Sequence, residues 1–268
     1  MKPRFNHATH TLYLHESGKK QNPVIIFLHG VGASGLMWES HMRALSNYYC
    51  IAPDMPGHGK SVDVEWSALS EMTEYVYDLI QKLPQHKAHV VGLSLGGSIT
   101  ISLLSKHSDV IDHAIVDGAG IIPIKGVTAI KLGVRAISPF IHNSLVIKAV
   151  ASGVGIQKDD LKNFTRDMKM VSPASFRRAF CQANDMTLPE GMDKVMTPTL
   201  FVAGEREAKE TTASNRKLAV LMPNASCRIA PKLSHGWLAQ EQNLHIEMVK
   251  AWTEDKGIPA VLEKCPGA

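Results

Sequence analysis

The residues best placed to do chemistry are Gly92-Leu93-Ser94-Leu95-Gly96. The apolar run Ala88-His89-Val90-Val91 precedes them, and a small-residue stretch of helical character, residues 97–105, follows. A Gly-x-Ser-x-Gly set between a strand and a helix forms a nucleophile elbow. The serine sits on a tight, strained turn that lifts its hydroxyl off the sheet. Side chains at the flanking positions would strike neighbouring backbone, so glycine stands at both. Ser94 is the expected nucleophile. A plainer reading, in which Gly92, Gly96 and Gly97 only let a helix pack closely on a strand, gives Ser94 no task.

A serine hydroxyl attacks only when a base removes its proton, and imidazole titrates in the right range. Among 13 histidines, His235 in Leu233-Ser234-His235-Gly236-Trp237 lies between the last expected strand and the last expected helix. It is the expected base, with His29 and His58 as competitors. The base needs an acid to orient it, and two carboxylates end suitable strands. Glu207, in Gly204-Glu205-Arg206-Glu207, is favoured and Asp117 is the alternative; Glu205 and Glu210 are expected to face solvent. His29-Gly30-Val31-Gly32 follows a buried strand, so its backbone can turn N–H groups into the site. Val31 and Leu95 N–H form the expected oxyanion pair, with Gly30 and Trp237 touching substrate.

These groups need a scaffold that delivers all of them to one edge. Val24-Ile25-Ile26-Phe27-Leu28 is a continuous apolar run, as in a strand buried on both faces. Further strands are expected over residues 9–14, 49–52, 88–91, 111–116, 198–204 and 225–230. Helices are expected over residues 36–45, from Ser67 or Ser70 to about 83, and over 97–105, 212–221 and 238–256. Alternating strands and helices build a parallel sheet by crossovers. Residues 121–196 show helical periodicity and no strand, so they read as an insertion over the C-terminal edge of the sheet, where ligands bind. Residues 88–104 are apolar enough to suggest a membrane span, but their glycines and serines favour a buried strand and helix.

A chain of 268 residues with 44% apolar and 20% charged residues suits one large α/β domain. The net charge of +4 is scattered, with Lys19-Lys20 and Arg177-Arg178 the adjacent basic pairs, so no nucleic-acid footprint is expected. Cys50, Cys181, Cys227 and Cys265 fit no metal or redox spacing. Cys50 and Cys227 read as small buried residues in a reducing, cytoplasmic compartment. Residues 1–7 lack the apolar core of a signal peptide.

Within the insertion, Ile121, Ile122, Ile124, Val127, Ile130, Leu132, Val134, Ile137, Phe140, Ile141, Leu145, Val146 and Ile147 are expected to pack on the core. The surplus would line an apolar pocket, softened by Met168, Met170, Met186 and Met192. Lys125, Lys131, Arg135 and Lys148 read as a solvated helix face rather than a membrane-touching one.

His-Gly-x-Gly, Asp-x-Pro-Gly-His-Gly-x-Ser at residues 54–61, Gly-x-Ser-x-Gly-Gly, a Gly-x-x-acid after a strand and a late Ser-His-Gly occur here in order. Together they resemble the α/β-hydrolase superfamily over nearly the whole chain. The resemblance implies an eight-stranded, mostly parallel sheet formed by residues 1–120 and 197–268, with a helical cap at 121–196 between strands six and seven. Members usually carry Asp where Glu207 stands, and some place the acid where Asp117 stands. Haloalkane dehalogenases and epoxide hydrolases use Asp at the elbow, so Ser94 speaks against both. The expected activity is hydrolysis of carboxylic esters of small or medium apolar substrates through an acyl-enzyme. A carbon–carbon hydrolase of β-diketone-like compounds and a small-ligand receptor on a hydrolase scaffold are the alternatives. No cofactor, metal or stable membrane insertion is expected. A homodimer through cap helices or a sheet edge is compatible with the sequence.

Overall fold

The computed structural model describes residues 4–6, 11–158 and 160–267. Its strands are β1 (Arg4–Asn6), β2 (Thr11–Ser17), β3 (Val24–Leu28), β4 (Tyr49–Pro53), β5 (Ala88–Leu93), β6 (Ile111–Asp117), β7 (Thr199–Gly204), β8 (Ala225–Ala230) and β9 (Glu263–Lys264). They form one sheet in the order β1-β2-β4-β3-β5-β6-β7-β8-β9. Strands β3 to β8 pair in parallel, and β1, β2 and β9 add antiparallel edges. The two-residue β9 makes nine strands where the resemblance implies eight. The expected strand over residues 9–14 is described from Thr11; residues 9 and 10 lie outside the described residues, as do residues 1–3 and 7 of the N-terminal stretch.

The apolar run of β3 shows why the sheet sits mid-layer. Ile26 and Leu28 join one core cluster while Ile25 and Phe27 join the other, so alternate side chains fill opposite faces. Helices α2 (Leu69–Gln81) and α3 (Leu95–His107) cover the first face through Val76, Leu79, Ile99 and Leu103. Helices α1 (Glu39–Ala44) and α10 (Gln242–Thr253) cover the second through Met42, Met248 and Val249. The apolar stretch 88–104 resolves into β5 and α3. Among the described residues no helix is long and apolar enough to cross a membrane.

Four helices connect β6 to β7: α4 (Val127–Ile137), α5 (Ser144–Val154), α6 (Leu161–Lys169) and α7 (Pro173–Asn184). Helix α8 (Lys209–Leu221) follows β7, and the single turn α9 (Trp237–Gln240) precedes α10. Two expectations change. Neither Ser67 nor Ser70 caps α2, whose N-cap is Ala68; the Ser67 hydroxyl is taken by the Glu71 carboxylate instead. Residues 36–45 divide into a 3-10 turn, Gly35–Trp38, and α1.

The cysteine reading is also corrected. Cys50 is a buried free thiol as expected, but Cys227 on β8 forms a disulfide with Cys265, just past β9. Antiparallel pairing of β8 with β9 sets the two Cα atoms 5.4 Å apart. Sequence spacing hid this pair because the partner strand is only two residues long.

Candidate active site

Ser94 links β5 to α3 with φ 55° and ψ −112°. A serine in this region stores strain of about 1–3 kcal/mol and persists only where its surroundings impose it. Two backbone bonds do so: Ser94 N–H donates to Asp117 O at 2.8 Å, and Ser98 N–H donates to Ser94 O at 2.9 Å. The flanking glycines are sterically required. A Cβ on Gly92 would collide with Gly96 O and the Thr100 hydroxyl, and one on Gly96 with the Leu28 carbonyl of β3. Gly97 is a packing glycine against Ala119.

His235 lies in the β8–α9 loop and its Nδ1 donates to Glu207 Oε2 at 2.8 Å. Glu207 Oε1 accepts the Gly204 N–H at 2.9 Å, so both carboxylate oxygens are occupied. The Glu207 side chain is only 4% exposed. Burial acts to lower the His235 pKa, but the charge and hydrogen bond of Glu207, aided by Asp117, outweigh it and leave the imidazole above its ordinary value. With Nδ1 carrying its proton toward Glu207, Nε2 is the nitrogen free to take one.

Asp117, the alternative acid, has another task. It is fully buried and accepts the Trp237 indole N–H at 2.9 Å. Its second oxygen lies 3.3 Å from His245 Nε2 without hydrogen-bond geometry. Burial, reinforced by the Glu207 charge, raises the Asp117 pKa well above its usual range. Burial also pushes His245 down to about 3. Trp237, expected to touch substrate, is instead fully buried in the core on Asp117. Its position after Ser-His-Gly suggested the site, but α9 turns the ring inward.

The competing histidines are structural. His29 is fully buried; Nδ1 donates to Gly30 O at 2.8 Å and Nε2 accepts the Met55 N–H at 2.9 Å. This fixes a neutral tautomer that ties the residue 29–35 loop to the residue 53–61 loop. Burial pushes His58 down to about 3, and its Nδ1 is held by Pro56 O at 2.9 Å. Glu205 is exposed, receiving the Lys232 N–H, and Glu210 receives the Lys125 N–H at 3.2 Å.

The oxyanion candidates flank the serine. Leu95 is the first residue of α3, whose leading N–H groups have no partner within the helix. On the other side, a Cβ on Gly30 would meet Ser94 Cβ at 3.5 Å, which brings the Gly30-Val31 backbone alongside. Asp54 steadies this arrangement: it accepts N–H groups from Gly35 (2.8 Å) and Lys60 (2.8 Å) and bonds His15 (3.0 Å).

Gly118 was not singled out by motif. Its φ is +58°, and a Cβ there would lie 2.7 Å from both Nδ1 and Cε1 of His235. The imidazole therefore rests on bare backbone. The signal was present as an Asp-Gly step at a strand end, where left-handed geometry is common. Ser94 and Gly118 both line a cavity of about 60 Å³, with Ser98, Thr211, Ile122, Ile124 and Met186. Other apolar residues of the insertion divide in two. Ile121, Val134, Ile141, Ile147, Met168 and Met192 are buried, whereas Ile130, Leu132, Ile137, Phe140, Leu145 and Met170 are exposed.

Residues 23–145 match the family model described as alpha/beta hydrolase fold. The chain has the α/β-hydrolase fold. An AB hydrolase superfamily protein of Gibberella zeae is 24% identical over 266 residues, covering 96% of this chain and 89% of that protein. A pimeloyl-acyl-carrier-protein methyl ester esterase of Vibrio atlanticus is 24% identical, covering 84% of this chain and 91% of the esterase. The crystal structure of the enol-lactonase from Burkholderia xenovorans LB400 superposes with a TM-score of 0.79 at 18% identity, covering 94% of this chain and 100% of that one. The fold is thus shared with proteins far apart in sequence.

Proposed function

We propose that the chain is a serine hydrolase that cleaves carboxylic esters of small apolar substrates through an acyl-enzyme on Ser94. The observation that carries this reading is the 2.8 Å bond from His235 Nδ1 to the buried Glu207 carboxylate. It orients the imidazole with Nε2 free to act as a base, against Gly118, which lines the same cavity as Ser94. In this mechanism Ser94 Oγ attacks the ester carbonyl while His235 Nε2 takes its proton. The Val31 and Leu95 N–H groups receive the oxyanion, each donor being worth about 3–4 kcal/mol to the transition state. His235 returns the proton to the departing alcohol, and water then repeats the sequence to release the acid. The hydrolytic activities named for the Vibrio esterase and the Burkholderia enol-lactonase both break an acyl–oxygen bond, which supports the ester reading.

The cavity at Ser94, about 60 Å³, favours short acyl groups. Longer chains need the inserted helices, read here as a cap over residues 121–196, to open. The Cys227–Cys265 bond argues against the cytoplasmic location expected from the sequence; cell fractionation with thiol titration of the protein in each fraction tests it.

The test is turnover of p-nitrophenyl esters of increasing length, with fluorophosphonate labelling, in wild type and Ser94→Ala. Labelling and multiple turnover that vanish in Ser94→Ala are expected. Labelling without turnover would refute the esterase reading and leave the elbow intact.

A further inference from the structure

The outer side of the inserted helices carries large apolar side chains where a solvated face would carry polar ones. The inward stripe of α4 is Val127, Lys131 and Val134, in which Lys131 is half-buried and ion-paired with Asp185 at the end of α7, while Ile130 and Leu132 on either side of it are exposed. Ala129, Gly133 and Ala136 are exposed with them. The chain then turns through Phe140, 64% exposed, to Leu145 at the start of α5, 75% exposed; Leu132 is 63% exposed. Large apolar side chains left in water at such density mark a surface that meets something else.

The charge around them is one-sided. Residues 121–158 contain Lys125, Lys131, Arg135, Lys148 and Lys158 and no Asp or Glu. Beside Leu132, a groove of about 480 Å³ between α4 and α7 is lined by Lys131, Arg135, Arg177 and Arg178. From the elements packed against it, Asp185 neutralises Lys131 and Glu65 neutralises Arg178. Arg135 and Arg177 have no carboxylate partner among the described residues.

We propose that this face docks reversibly on an anionic lipid bilayer. Leu132, Phe140 and Leu145 enter the interface, and Arg135, Arg177 and Lys148 meet lipid phosphates. A second copy of the chain fits less well, because a two-fold contact sets the same patch against itself and opposes cation to cation. The apolar side chains protrude, which suits a fluid surface that yields around them. The inference is independent of the esterase reading, since vesicle binding is measured without substrate.

The full chain is sedimented with vesicles of phosphatidylcholine alone and of phosphatidylcholine with phosphatidylglycerol, at low and high salt. Binding to the anionic vesicles should exceed that to neutral ones by about tenfold or more and fall with salt. The triple variant Leu132→Ser, Phe140→Ser, Leu145→Ser and the double variant Arg135→Glu, Lys148→Glu should each lose it. Both should keep wild-type circular dichroism and turnover of soluble p-nitrophenyl acetate. No binding by wild type, or equal binding to neutral vesicles, overturns the proposal. So does a concentration-dependent dimer dispersed by the Leu132→Ser change.

Discussion

Replacing Glu207 by Gln tests the proposed site at its most specific joint. The carboxylate has two fixed obligations: Oε1 receives the Gly204 N–H at 2.9 Å, and Oε2 receives the His235 Nδ1 proton at 2.8 Å. A glutamine has one acceptor and one donor. Gly204 claims the acceptor, because its N–H has no other role to switch to. The amide NH₂ then faces Nδ1 and forces it to accept, which moves the imidazole proton to Nε2, the nitrogen that must be bare to activate Ser94. The amide change at the orienting carboxylate of unrelated serine proteases costs about 10⁴ in kcat, or about 5 kcal/mol. A loss of that order is expected here, with little change in melting temperature. The pH profile adds a second readout. Glu207 holds the His235 pKa above its ordinary value against burial. Without that charge burial prevails, and the acid limb of kcat/KM moves to lower pH. Stopped-flow or steady-state p-nitrophenyl ester kinetics from pH 5 to 9 would measure both. Residual kcat within about tenfold of wild type with an unmoved acid limb would refute the assignment. In the same assay Asp117→Asn should act mildly, because Asn Oδ1 still accepts the Trp237 indole proton; a larger loss there than in Glu207→Gln would hand the orienting role to Asp117.

Other perturbations have defined outcomes. Gly118→Ala adds a Cβ about 2.7 Å from the His235 ring at φ +58°, so kcat should fall by roughly 100-fold for a displaced base, with about 1–2 kcal/mol of stability lost to left-handed strain. Urea unfolding and kinetics on one preparation separate the two effects. Asp54→Ala should cost about 3–5 kcal/mol, since buried donors from Gly35, Lys60 and His15 lose their acceptor. Burial acts to raise the Asp54 pKa, but its His15 and Lys60 contacts lower it overall. The stabilisation is therefore present above the unfolded value near ~3.9 and is lost as pH falls through the lower folded value. Acid titration of wild type should show that loss, and Asp54→Ala should not. Reducing Cys227–Cys265, which closes a separation of 38 residues, should lower stability by up to about 4 kcal/mol while leaving ester turnover intact; lost turnover would tie β9 to the site.

The sequence carried the parallel sheet because β3, β5 and β7 are buried on both faces and so read as unbroken apolar runs. The positions of Ser94 and His235 were legible because a turn motif and a strand–helix junction place them. Glu207 and Asp117 both end parallel strands, and only three dimensions show the Glu207 carboxylate on His235 and Asp117 on the Trp237 indole. Trp237 itself was misread, since a single-turn helix reverses its direction without any periodic signal. Gly118 escaped because its constraint comes from a residue more than a hundred positions away. The exposed side of α4 escaped for the opposite reason: apolar periodicity announces a buried face but not whether anything lies over it.

The parts of the site come from β3, β5, β6, β7 and β8, in the order in which they leave a ribosome. Once β6 has paired with β5, the strained serine turn is already braced by the Asp117 carbonyl. It then has the proposed nucleophile without the proposed base, because Glu207 and His235 are encoded after four intervening helices. Under the proposed mechanism a nascent or truncated chain is chemically silent until β7 and β8 deliver Glu207 and His235. Hydrolytic turnover would then report that β7 has paired with β6 across the four inserted helices, the most non-local pairing among the described strands, and that β8 has followed it.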